Sequence, residues 1–269
     1  MSDSSAAPAP TIPRPAATVL LVRDRPAFEV LMVRRVHEID SFAGALVFPG
    51  GKIDPADADP AWADHAHGWD APDGTDRGEE DRRLRIAGLR EAFEESGVLL
   101  ARDRAGVPWR AVEAAATLRA RIAAGEMSFL EMVQALEVRV DLDALTVFAH
   151  WITPPFAPKR FDTWFFIATA PEDQFAVSDG YETVDAEWIE PQRALDLAKA
   201  GERKIVFPTQ MNLRRVATAG GVERAIAEAR ARPPVIVQPV VEIRDGERYL
   251  TLPLEAGYGE VAEPMAGMR

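Results

Sequence analysis

Apolar runs in the first fifty residues predict short strands joined by turns. Ala17 to Val22 is a β-rich apolar run, and Phe28 to Val33, after the turn at Arg23 to Pro26, is typical of its antiparallel partner. Ala45 to Phe48 is a third short apolar run, and Pro49-Gly50-Gly51 closes it. The pattern therefore predicts a β-hairpin and a third strand that ends in a glycine turn.

Helical spacing follows a polar stretch. We interpret Pro55 to Asp81, with its scattered Asp, Pro, Gly and His, as an irregular insertion. A helix is predicted over Arg82 to Ser96, and Gly97 is suited to end it in a left-handed conformation. Its apolar stripe consists of Ile86, Leu89 and Phe93. Ala111 to Glu137 is rich in Ala, Leu, Arg and Glu and is interrupted by Gly125, which predicts two helices in a second, helical insertion.

Strand character returns in the second half of the chain. The expected strands are Leu145 to Trp151, Thr163 to Ala168 and Ala186 to Ile189, and the expected helices are Gln192 to Ala200 and Asn212 to Arg230. Near the end, two apolar runs flank Asp245-Gly246, a dipeptide favoured in tight hairpin turns. These runs are Val240 to Ile243 and Tyr249 to Leu252.

The organisation is that of one domain. The first fifteen residues are rich in Pro, Ala and Ser and predict a flexible tail, so the fold is expected to span 16–269. Without an internal repeat, we expect a single α/β (α+β) domain. It carries insertions near 58–81 and 101–144 and a C-terminal hairpin near 240–252.

Composition narrows the chemistry. The sequence has 47% hydrophobic residues, enough for a core, and it lacks cysteine, which excludes disulfides and thiolate chemistry. A formal net charge of −12 disfavours general binding to nucleic acid or to an anionic membrane. Neither a basic leader followed by an apolar stretch nor a lipidation motif is present, so we expect a cytoplasmic protein.

The most informative segment is Arg90-Glu91-Ala92-Phe93-Glu94-Glu95-Ser96-Gly97-Val98. Residues three and four apart share a helix face, so Glu91 is adjacent to both Glu94 and Glu95. Three clustered carboxylates repel one another and favour a hard divalent cation, which in turn binds phosphate oxygens. The alternative is that an acidic triplet merely decorates a solvated helix face.

The context of this segment resembles the Nudix box. That signature consists of a glycine, any five residues, a glutamate, any seven residues and then R-E-U-x-E-E-x-G-U, where U is a bulky apolar residue. The second half matches at Arg90, Glu91, Glu94, Glu95, Gly97 and Val98. Gly51 fits the opening glycine. Asp57 stands at the glutamate position, and the spacer is replaced by the long segment Ala58 to Leu89.

The resemblance implies a Nudix α/β/α sandwich around a mixed β-sheet and a metal-dependent hydrolase. In that family Glu91, Glu94 and Glu95 would ligate Mg²⁺ or Mn²⁺, with the backbone carbonyl of Gly51, and Arg90 would orient the glutamates. Water would attack a bridged phosphorus while a carboxylate takes its proton. The implied base is Glu91 or a glutamate on a later loop, for which Glu182 is our candidate.

Two further similarities concern the substrate. The run from Leu31 through Arg35 and Gly44 to F-P-G-G resembles the coenzyme A diphosphatase signature, although Asp40 replaces its second arginine. Two later segments, W-I-T-P-P from Trp151 and K-R-F-D-T-W-F-F from Lys159, resemble larger Nudix proteins related to acyl-CoA diphosphatases. The resemblance implies substrate binding by Arg35, Lys159 and Arg160.

The leading functional hypothesis is hydrolysis of coenzyme A or an acyl-CoA at its diphosphate. An ADP-ribose, NADH or dinucleoside polyphosphate hydrolase is the enzyme alternative, and a nucleotide-sensing, non-catalytic Nudix protein is the alternative from another class. The expected partner is a small-molecule nucleoside diphosphate derivative rather than nucleic acid or a membrane. Dimers are frequent in the family, which makes a homodimer an open expectation.

Overall fold

The computed structural model describes residues 11–35, 44–110, 113–174, 176 and 183–265. The strands are β1 Arg14–Arg23, β2 Glu29–Arg35, β3 Leu46–Val47, β4 Gly50–Lys52, β5 Ala66–His67, β6 Ala101–Arg102, β7 Arg139–Asp141, β8 Thr146–Ile152, β9 Phe161–Thr169, β10 Thr183–Ile189, β11 Ile236–Val237, β12 Val240–Arg244, β13 Glu247–Thr251 and β14 Ala262–Pro264. The α-helices are α1 Trp62–His65, α2 Glu79–Ser96, α3 Glu113–Ala123, α4 Phe129–Ala135, α5 Pro191–Lys199, α6 Phe207–Ala217 and α7 Val222–Ala231.

A mixed eight-stranded sheet organises the molecule. Six strands follow the order β10-β2-β1-β9-β8-β11, while β3 pairs with β2 and β4 pairs with β1. The β1–β9 and β8–β11 pairs are parallel and the other pairs of this sheet are antiparallel. Two three-stranded sheets complete the described part, β12-β13-β14 and β5-β7-β6.

Strand β1 shows why the sheet is covered on both faces. Alternate side chains of a strand point to opposite faces, and in β1 both sets are buried. Val19 and Leu21 pack in a core with α2 residues such as Phe93, whereas Leu20 and Val22 pack in a second core with residues of α6 and α7. The α/β/α sandwich around a mixed sheet is therefore confirmed.

Helix α2 carries the predicted glutamates and is fixed at both ends. It begins at Glu79, three residues before the predicted start, with three acidic residues in its first turn that complement the positive helix terminus. It ends where Gly97 adopts a left-handed conformation (φ 76°) and donates its N–H to the carbonyl of Phe93. The prediction for Gly97 is confirmed.

The two insertions depart from the expected loop and helix character. The stretch from Pro55 to Asp81 is not irregular throughout, because it contains α1 and β5 and buries Trp62, whose ring lies 5.7 Å from that of Phe129 in α4. Strand β5 pairs with β7 of the later insertion. The insertions thus join in one small sheet, an arrangement that two-residue strands do not reveal in a sequence pattern.

Two other boundaries also differ from prediction, and the C-terminal hairpin has an additional strand. The first strand starts at Arg14 rather than at Ala17, because it runs parallel to β9 from its first residue. The single helix expected over Asn212 to Arg230 is two helices, α6 and α7, separated at Gly220-Gly221. The hairpin at Asp245-Gly246 is confirmed, with φ angles of 52° and 83°, and β14 adds an unpredicted third strand.

None of the described helices is both long and apolar enough to cross a membrane.

At Gly88, helix α2 packs closely against strand β1 of the main sheet. A Cβ atom placed there would lie 3.2 Å from Cγ2 of Val19. We predict that Gly88→Leu lowers the free energy of unfolding by about 1–3 kcal/mol or more, because the added side chain overpacks this contact. Urea unfolding measures the change. Glu80→Leu, on the exposed first turn of the same helix, is the control, and equal stability of the two variants would contradict the packing account.

Candidate active site

Arg90 is the centre of a buried polar network at the end of the main sheet. Its Nε and Nη2 donate to the carboxylate of Asp57 at 2.8 and 3.1 Å. Its Nη1 donates to Glu91 at 2.9 Å and to Glu94 at 3.3 Å, and Nη2 also donates to the backbone carbonyl of Lys52 at 2.9 Å. One guanidinium therefore joins α2 to the loop after β4.

Asp57 completes this network from a helical turn within the first insertion. It is 1% exposed, and its Oδ2 also accepts the N–H of Asp54 in a capping box at the start of the turn Pro55–Ala58. Burial by itself would lower the pKa of Arg90, but the hydrogen bond to Asp57 and the charges of Glu91, Asp57 and Glu94 raise that pKa well above its ordinary value. Arg90 stays charged at any working pH.

The glycine turn lies directly against the glutamates. The N–H of Gly50 donates to Oε2 of Glu95 at 2.8 Å, and Glu95 is 1% exposed. A Cβ atom at Gly51 would lie 2.5 Å from each carboxylate oxygen of Glu91. Only glycine leaves room for the Glu91 carboxylate in this position. The backbone of the turn and the carboxylate therefore lie close enough to bind the same ligand.

The second insertion supports the end of the glutamate helix. Arg119 of α3 donates through Nε and Nη2 to the backbone carbonyl of Glu94, at 2.9 and 2.7 Å. Its guanidinium also lies against Gly97. Carbonyls of the last helical turn lack partners within the helix, so a cation there is stabilising.

An apolar cavity of about 540 Å³ lies beside Glu91. Gly51, Lys52 and Glu91 line one end. The other walls are mainly apolar and aromatic and include Phe48, Trp151, Ile152, Pro154, Phe156, Phe161, Phe165, Phe207, Pro239 and Leu250. Among the described residues that line it, Lys52 and Glu91 are the charged ones. The cavity therefore suits a molecule with one polar group at the glutamate end and an apolar remainder.

The donor set at the glutamate end fits a hard divalent cation. Asp57, Glu91 and Glu94 present three carboxylates to one guanidinium, so negative charge remains in excess around Arg90. Carboxylate oxygens and a nearby backbone turn are the ligands that Mg²⁺ and Mn²⁺ take. The residues present therefore fit the metal that the sequence resemblance implies.

The structure separates the predicted site residues into two groups. Arg90, Glu91, Glu94, Glu95 and Gly51 lie together around the glycine turn, and of these Gly51 and Glu91 line the cavity. Lys159 and Arg160 lie in the loop before β9, outside the cavity lining, and the Arg160 guanidinium donates to the carbonyls of Thr153 and Thr11. Glu182 and the side chain of Arg35 lie outside the described residues.

A second group of potential metal ligands lies in the small sheet. His67, Asp141 and Asp143 each offer one ligand atom within 4.8 Å of the others. The carboxylates also form ion pairs, Asp141 with Arg102 at 2.7 Å and Asp143 with Arg77. These arginines balance the charge, and the pair of Arg77 with Asp143 joins the first insertion to the second.

Sequence reasoning missed the cavity walls and the partner of Arg90. Asp57 was recognised only as a departure from the box, although its shorter side chain reaches Arg90 from the helical turn that begins at Pro55. Trp151 and Phe161 belong to segments that the sequence linked to the substrate, whereas Pro239 and Leu250 lie beside and in the C-terminal hairpin, which the sequence predicted without any link to the site. Only the fold brings them to the site.

Comparisons with known proteins agree with this geometry. The family model described as the NUDT19 Nudix domain matches residues 69–216. Human acyl-coenzyme A diphosphatase NUDT19 is 30% identical, over 80% of this chain and 71% of that protein, and putative nudix hydrolase 7 of Caenorhabditis elegans is 28% identical, over 88% and 71%. A crystal structure of a Nudix hydrolase from Alicyclobacillus acidocaldarius superposes with a TM-score of 0.72 at 31% identity, covering 81% of this chain and 97% of that one.

The mixed-sheet sandwich, with a glutamate helix fixed by an arginine beneath a glycine turn, defines the class of Nudix hydrolases. The chain belongs to this family, in the group that the NUDT19 Nudix domain represents. Nudix hydrolases in general use divalent metal ions, which agrees with the donor set around Arg90.

Asp57 allows the network to be tested apart from catalysis. We predict that Asp57→Asn lowers the free energy of unfolding by about 2–3 kcal/mol, because a buried arginine loses its charged partner while it keeps Glu91 and Glu94. The measurement is urea unfolding. Asp54→Asn is the matched control, since asparagine caps a helical turn as well as aspartate. Equal stability of both variants would show that the buried pair contributes little.

Proposed function

We propose that this Nudix hydrolase splits the diphosphate of coenzyme A or an acyl-CoA into 4′-phosphopantetheine, or its acyl thioester, and adenosine 3′,5′-bisphosphate. One observation carries the proposal. Glu91, which pairs with Arg90, lines an apolar cavity, so a diphosphate at this glutamate has an uncharged, largely apolar wall beside it. The names of the human, frog and chicken relatives, acyl-coenzyme A diphosphatase, support the same substrate class.

The contacts of Arg90, Glu91, Glu94 and Glu95 support the roles proposed for them, whereas the role of Glu182, outside the described residues, comes from the sequence alone. Glu91, Glu94 and Glu95, with the backbone at Gly51, would hold Mg²⁺ or Mn²⁺. When bound, such an ion neutralises phosphate oxygens and makes a bound water more acidic. Arg90 keeps the carboxylates in place through its contacts with Asp57, and Glu91 or Glu182 would accept the proton of the attacking water.

The cavity also weighs against the other diphosphates. ADP-ribose, NADH and dinucleoside polyphosphates carry polar sugars or bases on both sides of the phosphates. Such groups need hydrogen-bond partners where the cavity offers apolar walls, and an unmatched polar group loses binding free energy. The uncharged pantetheine arm fits these walls better.

A substrate panel tests the proposal. Coenzyme A, an acyl-CoA, ADP-ribose, NADH and diadenosine tetraphosphate are assayed with Mg²⁺ and with Mn²⁺, and products are identified by mass spectrometry. We expect the highest kcat/KM for the CoA compounds, with adenosine 3′,5′-bisphosphate as a product. Preference for ADP-ribose or NADH, or release of inorganic phosphate as the first product, would overturn the substrate assignment.

The metal ligands give a second prediction. Glu94→Gln and Glu95→Gln keep side-chain size but remove a charged oxygen, so we expect turnover to fall by about a hundredfold or more at saturating metal. Near-ultraviolet circular dichroism serves to show that the fold remains. Glu79→Gln, at the exposed start of the same helix, is the matched control and should keep wild-type turnover. Unchanged rates in both glutamate variants would exclude the proposed metal site.

Lys159 and Arg160 give a further prediction, because they lie in the loop before β9, near residues that line the cavity. If Lys159 contacts the 3′-phosphate, Lys159→Ala raises KM for coenzyme A about tenfold more than KM for dephospho-coenzyme A. Arg160 also anchors the carbonyls of Thr153 and Thr11, so Arg160→Ala should additionally lower the unfolding temperature. Equal losses on both substrates in the Lys159 variant would mean that this lysine does not read the 3′-phosphate.

A further inference from the structure

The C-terminal segment from Val235 to Met265 closes one side of the active-site cavity. Pro239 and Leu250 line the cavity, and Leu250 is 7% exposed. Both residues lie beyond 69–216, the part of the chain that the family model matches. These two residues form an apolar part of the cavity wall outside that matched range.

The same segment fixes an aromatic ring of the cavity. The indole N–H of Trp151 donates to the hydroxyl of Tyr258 at 3.0 Å, and this hydroxyl donates to Oδ1 of Asn212 at 2.6 Å. The direction is determined because an indole N–H can only donate. Trp151 is 3% exposed and also packs edge-on against Phe207, with ring centroids 6.1 Å apart. Tyr258 thereby locks the position of a ring that forms the cavity wall.

Burial keeps the hydroxyl of Tyr258 in one protonation state. It raises the pKa of Tyr258, and this effect outweighs the hydrogen bond from Trp151 and the positive charge of Arg215, which lower it. The hydroxyl therefore remains protonated and keeps donating to Asn212. The shape of the cavity at this wall is fixed across the working pH range.

The charge of the walls indicates which half of the substrate lies there. The adenosine half of coenzyme A carries an additional phosphate, whereas the pantetheine arm and its acyl group are uncharged. Lys52 is the cation among the described lining residues, and it lies at the glutamate end. At the rim, Phe156 is 54% exposed, an apolar ring that a bound arm would cover.

We propose that the C-terminal segment is a specificity wall, in which Leu250 and the Trp151–Tyr258 pair shape the cavity for the acyl-pantetheine arm of an acyl-CoA. This inference rests on the proposed function and deepens it. It makes the segment responsible for a preference for acylated over free coenzyme A. Leu250 acts by contact with the acyl group, and Tyr258 is a positioning residue that acts through Trp151.

The test compares acyl lengths in matched variants of the full chain. In the wild type, KM should fall at least tenfold from acetyl-CoA to hexanoyl-CoA. The two acyl groups differ by several methylenes, and each fully buried methylene strengthens binding by roughly fourfold. Leu250→Phe narrows the cavity and should abolish this gain, so that hexanoyl- and dodecanoyl-CoA no longer have a lower KM than acetyl-CoA. Leu254→Phe, at a 69% exposed leucine of the same segment, should behave as the wild type.

Tyr258→Phe tests the positioning role. It should raise KM for the long acyl substrates roughly three- to tenfold, with kcat nearly unchanged, because the indole of Trp151 loses its anchor but the glutamates do not move. A drop in kcat with equal effects on free and acylated coenzyme A would overturn the role in specificity. So would an unchanged dependence on acyl length in Leu250→Phe.

A binding measurement separates this inference from the proposed function. Dodecanoyl-pantetheine lacks the diphosphate, so calorimetry with this probe does not depend on catalysis. If the probe binds, and if Leu250→Phe weakens this binding while Leu254→Phe does not, the specificity wall is supported. This holds even if no CoA compound is hydrolysed, because the absence of hydrolysis would contradict only the proposed function. Hydrolysis of CoA compounds without any binding of the probe, and without dependence on acyl length, would overturn the wall alone.

Discussion

The buried ion pair between Arg90 and Asp57 is the constraint on which the site depends. A charged guanidinium taken out of water is tolerable only when carboxylates and carbonyls surround it, and Arg90 has both. The same guanidinium reaches Glu91 and Glu94. Because one end of this network belongs to α2 and the other to the loop after β4, the glutamates are held against the glycine turn before any ligand arrives.

The cavity places an apolar environment next to this charged network. Within one pocket, the charged end at Glu91 and Lys52 gives way to aromatic and aliphatic walls. That division matches a substrate whose reacting diphosphate is attached to an uncharged arm. It also reconciles the net charge of −12 with a phosphorylated substrate, since a metal ion at the glutamates would offset the repulsion locally.

Local patterns predicted the parts of the fold that local physics decides. The helical spacing of Glu91, Glu94 and Glu95 and the left-handed Gly97 depend on neighbours in sequence, and α2 has both features. The ion pair of Asp57 could not be predicted in this way, because its partner Arg90 lies 33 residues away in the sequence. The C-terminal wall is more remote still, since the distance in sequence from Trp151 to Tyr258 is 107 residues.

The short strands illustrate the same limit. A two-residue strand such as β5 has too little pattern to be predicted, and it exists because β7 pairs with it. The gap between α6 and α7 depends on Gly220-Gly221, which a continuous arginine-rich pattern obscures. Pairing and packing across the fold decide these elements, whereas the glutamate helix carries its own signal.

The most direct test of the central claim is the position of the metal in a crystal soaked with Mn²⁺. An anomalous difference map should show manganese among Glu91, Glu94 and Glu95, beside the glycine turn. The map also distinguishes the second ligand cluster found among the described residues, which lies at the small sheet. Manganese bound only among His67, Asp141 and Asp143, with none beside Glu91, would contradict the account.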